Sequence, residues 1–161
     1  MTTNSPAVKE HREAPLSALL YATRGTYTGA VRRAQAKLGY KDVPGSGEFI
    51  LSAMEWSGAS VESIIRRLGV SKQAVSQAVD ALVVRGYLER ARDPADRRRV
   101  KLSLTDRGHA AGRAARRAIE QVDRELLARV GREGIAGARA TLLALLEIKR
   151  KYKVAHVPGV P

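Results

Sequence analysis

Residues 71–108 read "SKQAVSQAVDALVVRGYLERARDPADRRRVKLSLTDRG", and two different periods share this stretch. Wound at about 100° per residue, Ala74, Val75, Ala78, Val79 and Leu82 gather on one side of a helix, and Lys72, Gln73, Ser76, Gln77 and Asp80 on the other. Ser71 is a good N-cap and Gly86 a good stop, so the spacing predicts a helix from Ser71 to Arg85. Beyond Gly86 the period falls to two. Val100, Leu102 and Leu104 alternate with Lys101 and Ser103, which gives a strand with one packed and one wet face. Asp93, Pro94, Ala95 and Asp96 form the turn that joins this strand to the shorter "YLERA".

Upstream, Ser60 caps a helix carrying Val61, Ile64, Ile65 and Leu68, which Gly69 ends. Two short helices joined by a glycine-containing turn outline a helix-turn-helix, and a hairpin directly after it is a wing. Before them, "DVPGSGE" is a turn leading into a short helix through Phe49, Ile50, Ala53 and Met54. A longer helix starts at Pro15 and carries Leu16, Leu19, Leu20, Tyr27, Val31 and Leu38 on one face, weakened locally by Gly25, Thr26, Thr28 and Gly29. Thr105 restarts helix after the hairpin, with a stripe of Ala111, Ala115, Ile119, Val122 and Leu126 that is interrupted at "GREG", residues 131–134. A last helix follows with Ile135, Ala138, Leu142, Leu145 and Leu146, too apolar to lie alone on a small surface. The expected fold is mainly α with a small β-hairpin wing: a winged helix-turn-helix between flanking helices. The expected boundaries are a disordered tail at 1–14, an N-terminal helix at 15–42, the winged unit at 43–104, C-terminal helices at 105–152 and a tail at 153–161.

At 161 residues the chain has room for one core, and its net charge is +13. Counted by segment, that charge is +2 over residues 1–59, +5 over 60–108 and +6 over 109–161, an uneven distribution that favours a polyanionic partner over mere solubility. No cysteine is present, which removes disulfides and thiolate chemistry. "TLLALLEI" falls far short of the roughly 20 apolar residues a membrane span needs, and the N-terminus lacks a targeting pattern, so the chain reads as cytoplasmic with no membrane partner. His11, His109 and His156 show no ligand spacing, Ser71 and Ser76 have no base, and Asp93 and Asp96 are turn formers. No metal, cofactor or enzymatic site is expected.

The polar face of the Ser71 helix is rich in amides and hydroxyls where an ordinary solvated helix would carry Glu and Lys. Gln pairs bidentately with adenine in the major groove, Ser reaches base edges or phosphate, and Lys72 lies at the end such helices push into the groove. Ser71, Lys72, Gln73, Ser76 and Gln77 are therefore the candidate readers of double-stranded DNA. In the hairpin, Arg97 and Arg99 share the outward parity of Lys101 and can grip phosphate. Arg98 shares the inward parity of Val100, Leu102 and Leu104, with Asp96 close enough to orient a guanidinium. The basic run "IKRKYK" at 148–153 is explained by a helix C-terminus.

The segment from Ser63 to Gly108 resembles the MarR family of winged-helix regulators, most specifically in "DPADRRRVKLSLTDRG" and more generally in "GVSKQAVSQAVDALVVRGY". The resemblance implies a homodimer built through the first and the last two helices, and a wing arginine in the minor groove. It matches Asp96 and Arg98 to the family's wing signature, and Asp80 to a helix acid that pairs with that arginine. Arg99 stands where many members have a smaller residue. It further implies a small aromatic or anionic effector between the helical frame and the winged unit, for which Tyr21, Arg24, Tyr27, Phe49, Trp56 and His109 could supply stacking or charge. For Tyr27, Phe49 and Trp56 taken singly, ordinary core is the favoured reading. The expected function is a sequence-specific transcriptional regulator, a repressor in its simplest form, acting on a pseudo-palindromic operator. The alternative is an architectural DNA binder that uses charge and shape alone.

Overall fold

The computed structural model describes residues 13–45, 47–57, 63, 72–92 and 100–152. The helix expected from Ser60, the wing turn at 93–96 and most of both tails lie outside the described residues. Five helices and one hairpin are described: α1 (Leu16–Thr23), α2 (Gly25–Lys37), α3 (Gly47–Ser57), α4 (Lys72–Val84), β1 (Leu88–Arg92), β2 (Val100–Leu104) and α5 (Asp106–Tyr152). The long helix expected from Pro15 divides at Arg24, ahead of the weak formers Gly25, Thr26, Thr28 and Gly29. α5 is two helices that meet at a kink at Gly131 (φ 69°, ψ 178°), where "GREG" interrupts the apolar stripe.

The winged unit's core forms where α3 and α4 meet the hairpin. Ile50, Leu51 and Met54 from α3 pack with Val75, Ala78, Val79 and Leu82 from α4, and with Tyr87, Leu88 and Ala111. α4 ends as its sequence dictates. Gly86 adopts φ 70°, its N–H donates to the Val83 carbonyl (3.0 Å), and Tyr87 N–H reaches back to Leu82 (2.9 Å), which satisfies two terminal carbonyls. The two strands pair antiparallel, with Leu88 opposite Leu104, Arg90 opposite Leu102 and Arg92 opposite Val100. Directly opposed residues share a face, so Leu88, Leu102 and Leu104 turn toward the core together, as the alternation predicts.

α5 packs along both α2 and α3. Gln35, buried on α2, donates from Nε2 to the Ala111 carbonyl of α5 (3.2 Å). Small residues set the spacing: a Cβ on Gly112 would stand 3.0 Å from the Leu51 carbonyl oxygen of α3. The winged unit is thus seated directly on the first half of α5.

Candidate nucleic-acid interface

α4 presents two chemically separate faces. Val75, Ala78, Val79 and Leu82 are buried, while Gln73, Ser76, Gln77 and Asp80 are exposed. Amide and hydroxyl groups therefore line a free helical surface at the spacing needed to meet successive base edges. Lys72 begins α4, whereas Ser71 lies outside the described residues. Arg97, Arg98, Arg99 and Asp96 also lie outside them, and Lys101 is exposed on β2 opposite Ala91.

Asp80 does not stand free: its carboxylate accepts a hydrogen bond from Arg90 Nη2 across an ion pair. Among the described residues the partner of Asp80 is Arg90, on the first strand; Arg98, with which the resemblance pairs Asp80, lies outside them. Arg90 lies opposite Leu102 on the inward face of the hairpin, which carries its guanidinium back toward α4. Sequence reasoning missed Arg90, although its parity with Leu88 was available as a signal.

The base of the wing is fixed by residues that neither composition nor periodicity marked. The Tyr87 hydroxyl donates to Asp42 Oδ1 (2.5 Å) and accepts from Arg107 Nη2 (3.1 Å), and the same Nη2 reaches both Asp42 oxygens (2.9 and 3.1 Å). The Arg107 guanidinium also lies 4.6 Å from the Tyr87 ring centre, and Tyr40 meets that ring edge-on at 6.2 Å. The Tyr87 and Arg107 bonds hold the Asp42 carboxyl below the usual carboxylate range, and burial together with the Asp42 bond pushes the Tyr87 phenol up. Beside this cluster, Thr105 caps α5: its hydroxyl donates to the Gly86 carbonyl (2.6 Å) and accepts from Gly108 N–H (3.0 Å). A Cβ at Gly108 would sit 2.0 Å from the Tyr87 carbonyl oxygen, so only glycine fits there. "LTDRG" is accordingly a joint: a cap, a brace and a close approach in consecutive residues.

The aromatic residues expected as core are surface groups in the single chain, with Tyr27 39%, Phe49 48% and Trp56 55% exposed. Aromatic identity alone misplaces them: Tyr27 and Trp56 border α5, and all three stand outside the winged unit's core. Three of the candidate effector residues border one face of α5 at heptad spacing. His109 Nδ1 lies 2.7 Å from Glu55, Arg116 lies 5.2 Å from the Trp56 ring centre, and Asp123 accepts a hydrogen bond from the Tyr27 hydroxyl (2.6 Å). The Asp123 bond, with burial added, pushes the Tyr27 phenol up to about 12. Tyr21 and Arg24 stack on each other at the α1–α2 break, 4.2 Å apart. A groove of about 600 Å³ between α2 and α5 is lined by Ala30, Ala34, Ala118 and Val122 with Arg33 and Lys37, and by none of these five. Among the described residues no group of three His, Asp or Glu converges as a metal site, and no helix is long and apolar enough to cross a membrane.

Residues 49–99 match the model of the MarR family. That segment is similar to the MarR family. No curated protein sequence matches it. Among solved structures, the MarR fold is shared with the transcription regulator MarR from Oenococcus oeni PSU-1, at 12% identity and a TM-score of 0.69, over 83% of this chain and 99% of that one. The S. aureus MepR–DNA complex matches at 18% identity and a TM-score of 0.64, over 84% and 97%. CouR from Rhodococcus jostii RHA1, bound to p-coumaroyl-CoA, matches at 20% and 0.62, over 92% and 96%. These likenesses show a fold shared over most of the chain.

Proposed function

We propose that this chain is a MarR-family, sequence-specific DNA-binding transcriptional regulator that acts as a homodimer on a pseudo-palindromic operator, repressing by occlusion. The observation that carries this reading is the exposed α4 face of Gln73, Ser76 and Gln77, set against a buried face of Val75, Ala78, Val79 and Leu82. Amides can read base edges, whereas attraction to phosphate alone has no use for them. Ser71 and Lys72 extend the same face at its N-terminal end, and Arg97, Arg98, Arg99 and Lys101 supply the wing's contacts to phosphate or minor groove. Asp80 and Asp96 orient arginines. In a two-fold dimer the two α4 helices enter successive major grooves about 34 Å apart. The fold shared with the MepR–DNA complex supports this reading.

The helices outside 43–104 serve as the dimer frame. An aromatic or anionic effector binds along the edge of α5, where His109, Trp56 and Tyr27 border one face and Tyr21 and Arg24 lie at the α1–α2 break, and acts by favouring one spacing of the two α4 helices over another. The fold shared with ligand-bound CouR is in keeping with such a site. Titration of the protein against DNA from its own upstream region and against random duplex, at two salt concentrations, tests the function. The regulator reading expects the upstream DNA to be preferred at both, by at least about a thousandfold. Equal affinity at both salts would make the protein an architectural binder.

A further inference from the structure

In a chain of net charge +13, an arginine at the base of a wing invites assignment as one more phosphate contact. Arg107 is otherwise employed. Its guanidinium is spent on Asp42, the Tyr87 hydroxyl and the Tyr87 ring, and those partners come from different parts of the molecule. Asp42 lies in the link between α2 and α3. Tyr87, fully buried, lies in the link between α4 and β1. Arg107 lies in the first turn of α5. Thr105 and Gly108 lock the backbone of this same point, so the side-chain cluster is the adjustable part of a joint whose main chain is fixed.

We propose that Arg107 is a positioning residue for DNA reading: by holding Asp42 and Tyr87 it sets the angle between the winged unit and the α5 shaft, and so where α4 is presented. This rests on the proposed function, because an angle matters only if two α4 helices must meet two half-sites in register. A charge without that geometry does not suffice, since Nη2 meets both carboxylate oxygens and the phenol while the planar guanidinium lies against the Tyr87 ring. Asp42 is a test of the idea by itself. A carboxylate near a polyanion should weaken binding, so a purely electrostatic account expects its removal to help.

The experiment measures affinity of the full chain for a selected site and for random duplex, at two salt concentrations and well below each variant's melting temperature. The variants are Asp42→Asn, Arg107→Lys, Arg107→Gln and the double variant Asp42→Asn with Arg107→Gln. Each single change should lower affinity for the selected site about tenfold, with random-duplex affinity and salt slope unchanged, and the double variant should be no worse than either. Arg107→Lys, which keeps the charge and loses the planar group against the Tyr87 ring, should not rescue. The proposal is overturned if Arg107→Gln weakens both duplexes equally and reduces the salt slope by about 0.9, the mark of one lost phosphate contact. It is also overturned if Asp42→Asn binds as well as wild type or better. If Arg107→Gln fails to fold, Asp42→Asn, a half-exposed loop substitution, decides alone. A wild-type protein without a preferred site sinks the proposed function and this inference together; a selective wild type whose selectivity survives Asp42→Asn sinks only the inference.

Discussion

The two halves of α5 are helices of similar length with opposite side-chain economies. At its start the first half packs through Gly108, Ala111, Gly112, Ala114 and Ala115, all buried against the winged unit and α2, whereas Leu126, Leu127 and Val130 near the break are exposed. After it, Leu142 and Leu143 are about half exposed and Ile148 likewise, and no described residue covers them. Small residues allow backbones to approach; large aliphatics require a surface to enter. The start of α5 is therefore a finished intramolecular contact, and the aliphatics toward its far end are uncovered among the described residues.

The largest expected effect comes from breaking the finished contact. Gly108→Ala places a Cβ 2.0 Å from a backbone oxygen that no rotamer change can relieve, so chemical denaturation should show a loss of at least about 3 kcal/mol. A near-neutral result would mean that the wing base and α5 are not in close contact.

The second half is tested by Leu142→Ser combined with Leu143→Ser. Each leucine covered by a partner contributes about 2 kcal/mol, so sedimentation should show a dimer becoming a monomer that keeps its helix content. Unchanged association would place the dimer contact elsewhere.

The smallest effect lies at the near end of the frame, where Tyr27 of α2 donates to Asp123 of α5. The folded-state phenol is raised from 10.0 to about 12, so the contact contributes stability that is fully present below pH 10.0 and lost as pH rises through about 12. Spectrophotometric titration should find this tyrosine at about 12 in wild type, and lower in Asp123→Ala.

What the sequence discloses here follows from the range of the interaction. The faces of α4 and of the hairpin are legible because their periods are local, repeating every few residues along one element. The break at "GREG" is legible for the same reason. The brace is not: Asp42 and Arg107 are 65 residues apart, single charges in a chain rich in charge, and nothing in their neighbourhoods pairs them. Gly108 looks like a loose residue early in a helix until the Tyr87 carbonyl is placed against it. Tyr27, Phe49 and Trp56 mislead in the other direction, since residue type argues for core and only the arrangement of helices leaves them at the surface. Arg90 lies between these cases, because its parity was readable while its partner Asp80 needed the register of the hairpin against α4.

The central claim is that the neutral face of α4 reads sequence, and selection of bound fragments from random duplex DNA tests it most directly. Wild type should enrich an inverted repeat whose half-site centres lie about one helical turn, 34 Å, apart. Gln73→Ala or Gln77→Ala should relax the preference at one base position in each half-site and cost about 1–3 kcal/mol there, with other positions unchanged. A fragment pool with no enriched motif, or variants that weaken every sequence alike, would contradict it.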